Sequence, residues 1–375
     1  MQGLRRLSKS RTGDEAGAVT VVVALMISGV LLGMGALVID VGALYSERRE
    51  LQNGADFAAL TVAGDCAVNV VACATTSAST AQTYADANAN DSKATVDGVC
   101  GTATGLVACT GGKLGPWDCS ATVPSGKYVQ VRTSTKTAGS NTVLPPILSR
   151  TLVGNSGDAG HQVRACARAT FGGLGSYEGF AVTISYCEWN AATANGTVFA
   201  PPPPYAAPFT AVAPFERVLK LHTTAGVPTC GGGNPGWNMP GGFGWLDDAA
   251  PADCQTTVNA GGVYGGNPGV SGSNACKDAL AAAWTSRSAV VYIPIFDGTL
   301  GSGGGATYHL KGFAAFVITG YSLPGAKQSS WAGGPPGGEC KGSDKCIYGF
   351  FTQGLVPAGA TGGPTMGANT TQLQL

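Results

Sequence analysis

The feature that most constrains this chain is an uncharged run of 22 residues near its start, which begins at Ala18 and ends at Ile39. A helix needs about 20 apolar residues to cross a hydrocarbon core about 30 Å thick. Arg5, Arg6, Lys9 and Arg11 precede the run, whereas Glu47-Arg48-Arg49-Glu50 after it is charge-balanced. That Lys/Arg excess predicts a cytoplasmic tail over residues 1–17 and a single-pass protein of the cell membrane whose bulk lies outside. A cleaved secretory signal would instead carry an apolar region of about 7–15 residues and a small-residue cleavage site. This run is longer and passes directly into Asp40-Val41-Gly42, which favours a retained anchor in the lipid bilayer. Gly29 and Gly33 form Gly-x-x-x-Gly, a spacing that lets membrane helices approach closely. Glycine is so common here, at 58 residues, that composition alone is the commoner source of one such match.

Beyond the run the pattern becomes amphipathic. Val41, Leu44, Leu51, Ala55, Ala58 and Val62 recur at spacings of three, four and seven, with Arg48, Asn53 and Asp56 mostly elsewhere. That is a helix with one buried stripe. No proline interrupts residues 17–62, so one long rod can leave the bilayer and pack its outer half.

The segment Ile39-Asp40-Val41-Gly42-Ala43-Leu44-Tyr45, followed by Arg48-Arg49-Glu50-Leu51-Gln52-Asn53-Gly54-Ala55-Asp56-Phe57-Ala58-Ala59-Leu60, resembles the N-terminal region of TadG-like and TadE-like proteins of tight-adherence (Flp-type) pilus assembly. Their pattern is an apolar span, a D-V-G-x-L-Y step and R-x-L-Q-N-A-A-D-A-A-A-L. The resemblance covers about 45 residues closely. It implies a membrane-anchored component of the pilus machine, with Asp40, Gly42, Tyr45, Leu51, Gln52, Asn53, Asp56, Ala58 and Ala59 as family-motif positions. It also implies other pilus-assembly membrane proteins as partners, met through the stalk helix. There are departures. Members cut by a prepilin peptidase carry Glu five residues after the cleaved Gly, and counting from Gly17 that place is Val22. Some members have an Asp-x-Ser-x-Ser metal motif, but Asp297-Gly298-Thr299-Leu300-Gly301 lacks both serines, so that site is not carried over. The cysteine-rich tail is similar to those of actinobacterial members.

The rest reads as short strands in long loops, with a possible second helix over residues 77–90. Residues 127–136 (KYVQVRTSTK) and 162–171 (QVRACARATF) alternate with period two, as half-exposed strands do. Apolar strand candidates follow at 180–187, 289–296, 312–319 and 346–352, among 58 glycines and 21 prolines. Residues 201–204 are a stiff proline run. The 12 cysteines fall six before Gly175 and six after it, and none forms Cys-x-x-Cys. An even count without zinc spacing predicts disulfides formed outside the cytosol, with connectivity unreadable. The expected fold class is α+β: a transmembrane helix over 18–39, a pilin-like stalk helix and small sheet over 40–174, a cysteine-rich β-rich ectodomain over 175–354, and a disordered tail over 355–375.

Chemistry is sparse. Lys plus Arg equals Asp plus Glu at 22 each, with no basic patch of the kind nucleic acid requires, so no nucleic-acid partner is expected. No Gly-x-Ser-x-Gly elbow or phosphate-cradling loop is present. The Gly-rich letters at 301–306 lead into a strand, which does not suit a dinucleotide. Trp245, Asp247, Asp248 and Asp253 form one aromatic and acidic loop, which could hold Ca²⁺ or a sugar; a solvated loop is the commoner reading. His309 suits a hydrogen-bonded structural histidine, and Trp237, Trp245, Trp284 and Trp331 suit small cores more than a glycan platform. Two function classes stand. One is a non-enzymatic pilus structural or assembly component without a cofactor. The alternative is a membrane-tethered surface binding protein or hydrolase with its site in the second region.

Overall fold

A computed structural model describes residues 12–109, 119, 122, 124–146, 148, 160–222, 230, 236–247, 253–267, 272–301, 306–334, 340–357 and 359–374. Arg5, Arg6, Lys9, Arg11 and Asp248 lie outside the described residues.

Helix α1 runs unbroken over Thr12–Val68, 57 residues, or about 85 Å at 1.5 Å per residue. Asn69 then caps α2 (Val70–Ala87), its side chain accepting the amides of Val71 and Ala72 at 3.0 Å. The Cys66–Cys73 disulfide staples this corner. The two helices form an antiparallel hairpin, and Gly54 lies at a close approach: a Cβ there would sit 3.1 Å from the Ala85 Cα.

The first sheet runs β1 (Ala94–Gly101), β2 (Lys127–Thr135), β3 (Arg164–Phe180), β15 (Ala368–Gln374) and β13 (Gly354–Val356), with β7 (Gln255–Asn259) and β14 (Ala360–Gly363) also on β3. The second runs β5 (Arg217–Lys220), β12 (Cys346–Thr352), β10 (Thr307–Leu323), β9 (Val290–Leu300), β4 (Val182–Ser185) and β6 (Phe243–Trp245), with β8 (Val263–Gly265) and β11 (Ala326–Gln328) on β10. Helices α3 (Tyr186–Thr193) and α4 (Asn274–Ser286) flank it. The expected α+β class is what forms, and the helix at 70–87 starts earlier than the sequence suggested.

Two expectations are corrected. Where it is described, the 355–375 segment is not a disordered tail: Asn369 to Gln374 pair in register with Gly173 to Arg168 of β3, and Ala368, Asn369 and Thr370 are buried. A chain that pairs six residues in the middle of a sheet is held by long-range hydrogen bonds that composition does not reveal. Nor does the chain part at Gly175. Strand β3 passes through it, and Leu174, Val258, Val356 and Ala368 of the first sheet share a core with Phe296, Tyr308, Leu310 and Phe313 of the second. The glycines near 175 serve packing rather than a link. A Cβ at Gly173 would meet the Pro364 carbonyl at 2.1 Å, and one at Gly363 the Leu174 carbonyl at 2.0 Å.

All 12 cysteines are paired: 66–73, 100–109 and 119–166 in the first half, 187–230, 254–276 and 340–346 in the second. No bridge crosses between the halves, so the covalent division follows the six-and-six count although the strands do not.

Candidate functional site

Helix α1 has two environments. From Val19 to Ile39 its large apolar side chains stand exposed, and this is a helix long and apolar enough to cross a membrane. A Cβ at Gly29 or Gly33 would meet nothing within 4 Å, so no other part of the described chain covers that face. Beyond Ile39 one side of the helix is covered. Leu51, Ala55, Ala58, Ala59, Val62 and Ala63 are buried against Val129 and Val131 of β2 and Ala165, Ala167 and Ala169 of β3. Small residues on both surfaces let helix and sheet backbones come close. Leu44 is half-buried at the lower end of this stripe, and Val41 is exposed.

Polar motif residues fix the register. The Gln52 amide donates to Asp56 Oδ1 at 2.8 Å and to the Cys166 carbonyl at 3.1 Å, tying the helix to β3. Thr133 Oγ1 donates to the Leu51 carbonyl at 3.0 Å, tying it to β2. Glu50 accepts the Asn90 amide at 2.9 Å beyond the end of α2. At the exit from the apolar run, Asp40 Oδ1 accepts the Leu148 amide at 3.1 Å. Gly42, Tyr45 and Asn53 face outward with Arg49 and Phe57; Tyr45 is 60% and Phe57 54% exposed.

Burial pushes the Asp56 carboxyl above its ordinary 3.8, partly offset by the Gln52 hydrogen bond. The folded chain therefore keeps this proton at pH values where the unfolded chain has lost it. The associated stability is present below the unfolded pKa and lost as pH rises through the folded one. Asp56→Asn should accordingly flatten the fall in melting temperature as pH rises above the ordinary carboxylate range. Melting curves of the full chain in detergent check this; an unchanged slope rejects it.

The acidic loop of the second region is not brought together around an aromatic platform. Trp245 is 2% exposed, in the core of the second sheet with Phe243 and Ile295. Asp247 is exposed, and Asp253 accepts the Gln255 amide at 3.0 Å. Among the described residues no group of three His, Cys, Asp or Glu converges as a metal site. The structure assembles a different cluster, in which His309 Nδ1 lies 2.5 Å from Asp297 Oδ1 and Lys311 Nζ 3.5 Å from Asp297 Oδ2. The Trp237 ring lies 5.7 Å from His309, and Lys311 stands over Tyr186 at 4.5 Å. His309 and Lys311 are two apart on one strand beside a strand carrying Asp297, a relation visible only once β9 and β10 are paired. It places a nearly buried carboxylate between a histidine and a lysine.

The family comparison falls on the helix. Residues 17–65 match the model of the Tad family, described as Flp pilus-assembly TadE/G-like. The N-terminal segment is a Tad segment. No curated protein matches the chain, and no solved structure matches it. The Tad segment ends three residues before α1 does and contains both the apolar run and the buried stripe. The match relates this segment, and not the rest of the chain, to Flp, or tight-adherence, pilus-assembly proteins.

Proposed function

We propose that the chain is a membrane-anchored structural or assembly component of a tight-adherence pilus system, and not an enzyme. The observation that carries this is one continuous helix, matched to the Tad family over residues 17–65, whose first part bears exposed large apolar side chains and whose second part is the spine of a folded domain. In this reading residues 18–39 span the cell membrane, the basic residues before them stay in the cytoplasm, and the ectodomain with its six disulfides matures outside. The stripe at Leu51, Ala55, Ala58 and Val62 is used up by the chain's own strands. Partner membrane proteins of the pilus machine therefore meet the faces left open, around Gly29 and Gly33 in the span and around Tyr45, Asn53 and Phe57 above it. The tethered-binder alternative draws on the acidic loop and the histidines, and the buried Trp245 ring gives it no exposed aromatic surface at that position.

Deleting the gene should remove or greatly reduce pili seen by electron microscopy. The full chain should restore them, and a version secreted without residues 18–39 should not. Protease added to wall-stripped cells should digest the region after Asp40. Normally piliated deletion cells would overturn the pilus role, and a protected C-terminal region would overturn the orientation.

A further inference from the structure

Where α1 leaves its apolar run, the fold leaves a cavity of about 380 Å³ lined by Val41, Leu44, Tyr45, Arg48, His161, Gln162 and Val163. Its parts differ in chemistry. Val41, Leu44 and Val163 are aliphatic, while Arg48 and His161 carry N–H groups that can donate to an anion. Arg164 stands behind Gln162, with Nε and Nη2 both donating to the Gln162 Oε1 at 3.2 and 2.9 Å.

Its height decides what can enter. Counted from Ile39 at 1.5 Å per residue, Val41 stands about 3 Å and Arg48 about 13 Å above the end of the apolar run. A headgroup layer occupies roughly 5–8 Å on each side of the hydrocarbon core. Helix side chains lean toward the N-terminus, so the Arg48 side chain is directed back toward that layer. A cavity at this level with an aliphatic wall, basic residues and a tyrosine has the composition of the membrane interface itself.

We infer that this cavity holds the headgroup of a bilayer phospholipid, its phosphate taken by Arg48 and His161 and its glycerol end lying against Val41, Leu44 and Val163. The inference rests on the membrane-anchored reading above. It assigns His161 and Gln162, on the strand side, to the same lipid contact as the stalk helix, so that the sheet as well as the helix is seated on the bilayer.

The test uses the full chain extracted in mild detergent with equal phosphatidylglycerol and phosphatidylcholine, and native mass spectrometry to count retained lipid. Wild-type protein should keep one phosphatidylglycerol in preference to phosphatidylcholine. Arg48→Glu with His161→Ala should lower that bound fraction about tenfold, while Arg48→Lys keeps most of it. Far-ultraviolet circular dichroism and an unchanged disulfide mass confirm that each variant is folded. Excess inorganic phosphate should leave the lipid in place. The inference is overturned if the double variant retains lipid like wild type, if the two lipids are held equally, or if free phosphate displaces the lipid. Flotation with vesicles separates the underlying reading: wild type that fails to float removes the anchor as well, whereas floating protein without retained lipid removes only this site.

Discussion

Ala58→Asp, and likewise Ala55→Asp, should leave no folded protein in the membrane fraction. Both alanines are 0% exposed, packed among Val62, Val129, Val131, Ala167 and Ala169. A carboxylate forced there has no cation to pair with in that apolar cluster, and an uncompensated buried charge costs about 3–5 kcal/mol. A domain with a total stability of about 5–15 kcal/mol loses most of its margin. Arg48→Ala, off the stripe, should shift stability by no more than about 0.5 kcal/mol. Immunoblots of membrane fractions, with melting curves for whatever accumulates, decide the matter; wild-type levels of Ala58→Asp would mean the helix does not seat on this sheet. Because the stripe is satisfied within the chain, this loss reports folding. Assembly itself is better probed on the outward face, with Phe57→Ala or Asn53→Ala.

Ending the chain after Gly359 should be as damaging. The truncation removes β14 and β15, and with them the six-residue ladder on β3. At about 1 kcal/mol for each net hydrogen bond the loss is several kcal/mol. It also takes away buried Met366, whose carbonyl accepts the Trp189 indole N–H at 3.0 Å. An orphaned buried donor adds about 1–3 kcal/mol. The expected outcome is protein that fails to accumulate or melts far below the full chain. Unchanged yield and melting temperature would show that residues 360–375 do not pair as a strand.

How much of this was legible in the sequence depended on the range of the interaction that fixes each element. The span and the stalk could be read because hydropathy and a helical period are local properties, and Leu51, Ala55, Ala58 and Val62 are buried as that period requires. Residues 346–352 and 127–135 form strands where alternating or apolar runs indicated them. The closing strand was not legible, since Ala-Asn-Thr-Thr-Gln-Leu-Gln is polar and owes its place to β3, some 200 residues earlier. Helix α4 went unseen although its signal was present: Ser273 caps it through the Cys276 amide, and Cys276, Leu280 and Ala283 recur at helical spacing. The surrounding glycine-rich loops masked that pattern. Trp245 fills a core, as the area of its ring suggested, although its neighbours pointed the other way. Its acidic neighbours suggest a surface loop, but the three-residue strand Phe243–Trp245 turns the ring inward. The outward stripe with Tyr45 and Phe57, and the cavity beside it, required knowing which side of the helix the sheet covers.

The absence of any joint between Ile39 and Leu51 makes residue number an angular setting. Each residue of an α-helix turns its successor by about 100° and lifts it 1.5 Å. The 12 steps between those two positions therefore fix the compass bearing of the sheet relative to the side of the span that carries Gly29 and Gly33. A single inserted alanine would swing the whole ectodomain about a quarter-turn or more around the bilayer normal while changing its height by about 1.5 Å. Copies standing side by side in one membrane would then present mismatched sides to each other, although every fold remained intact.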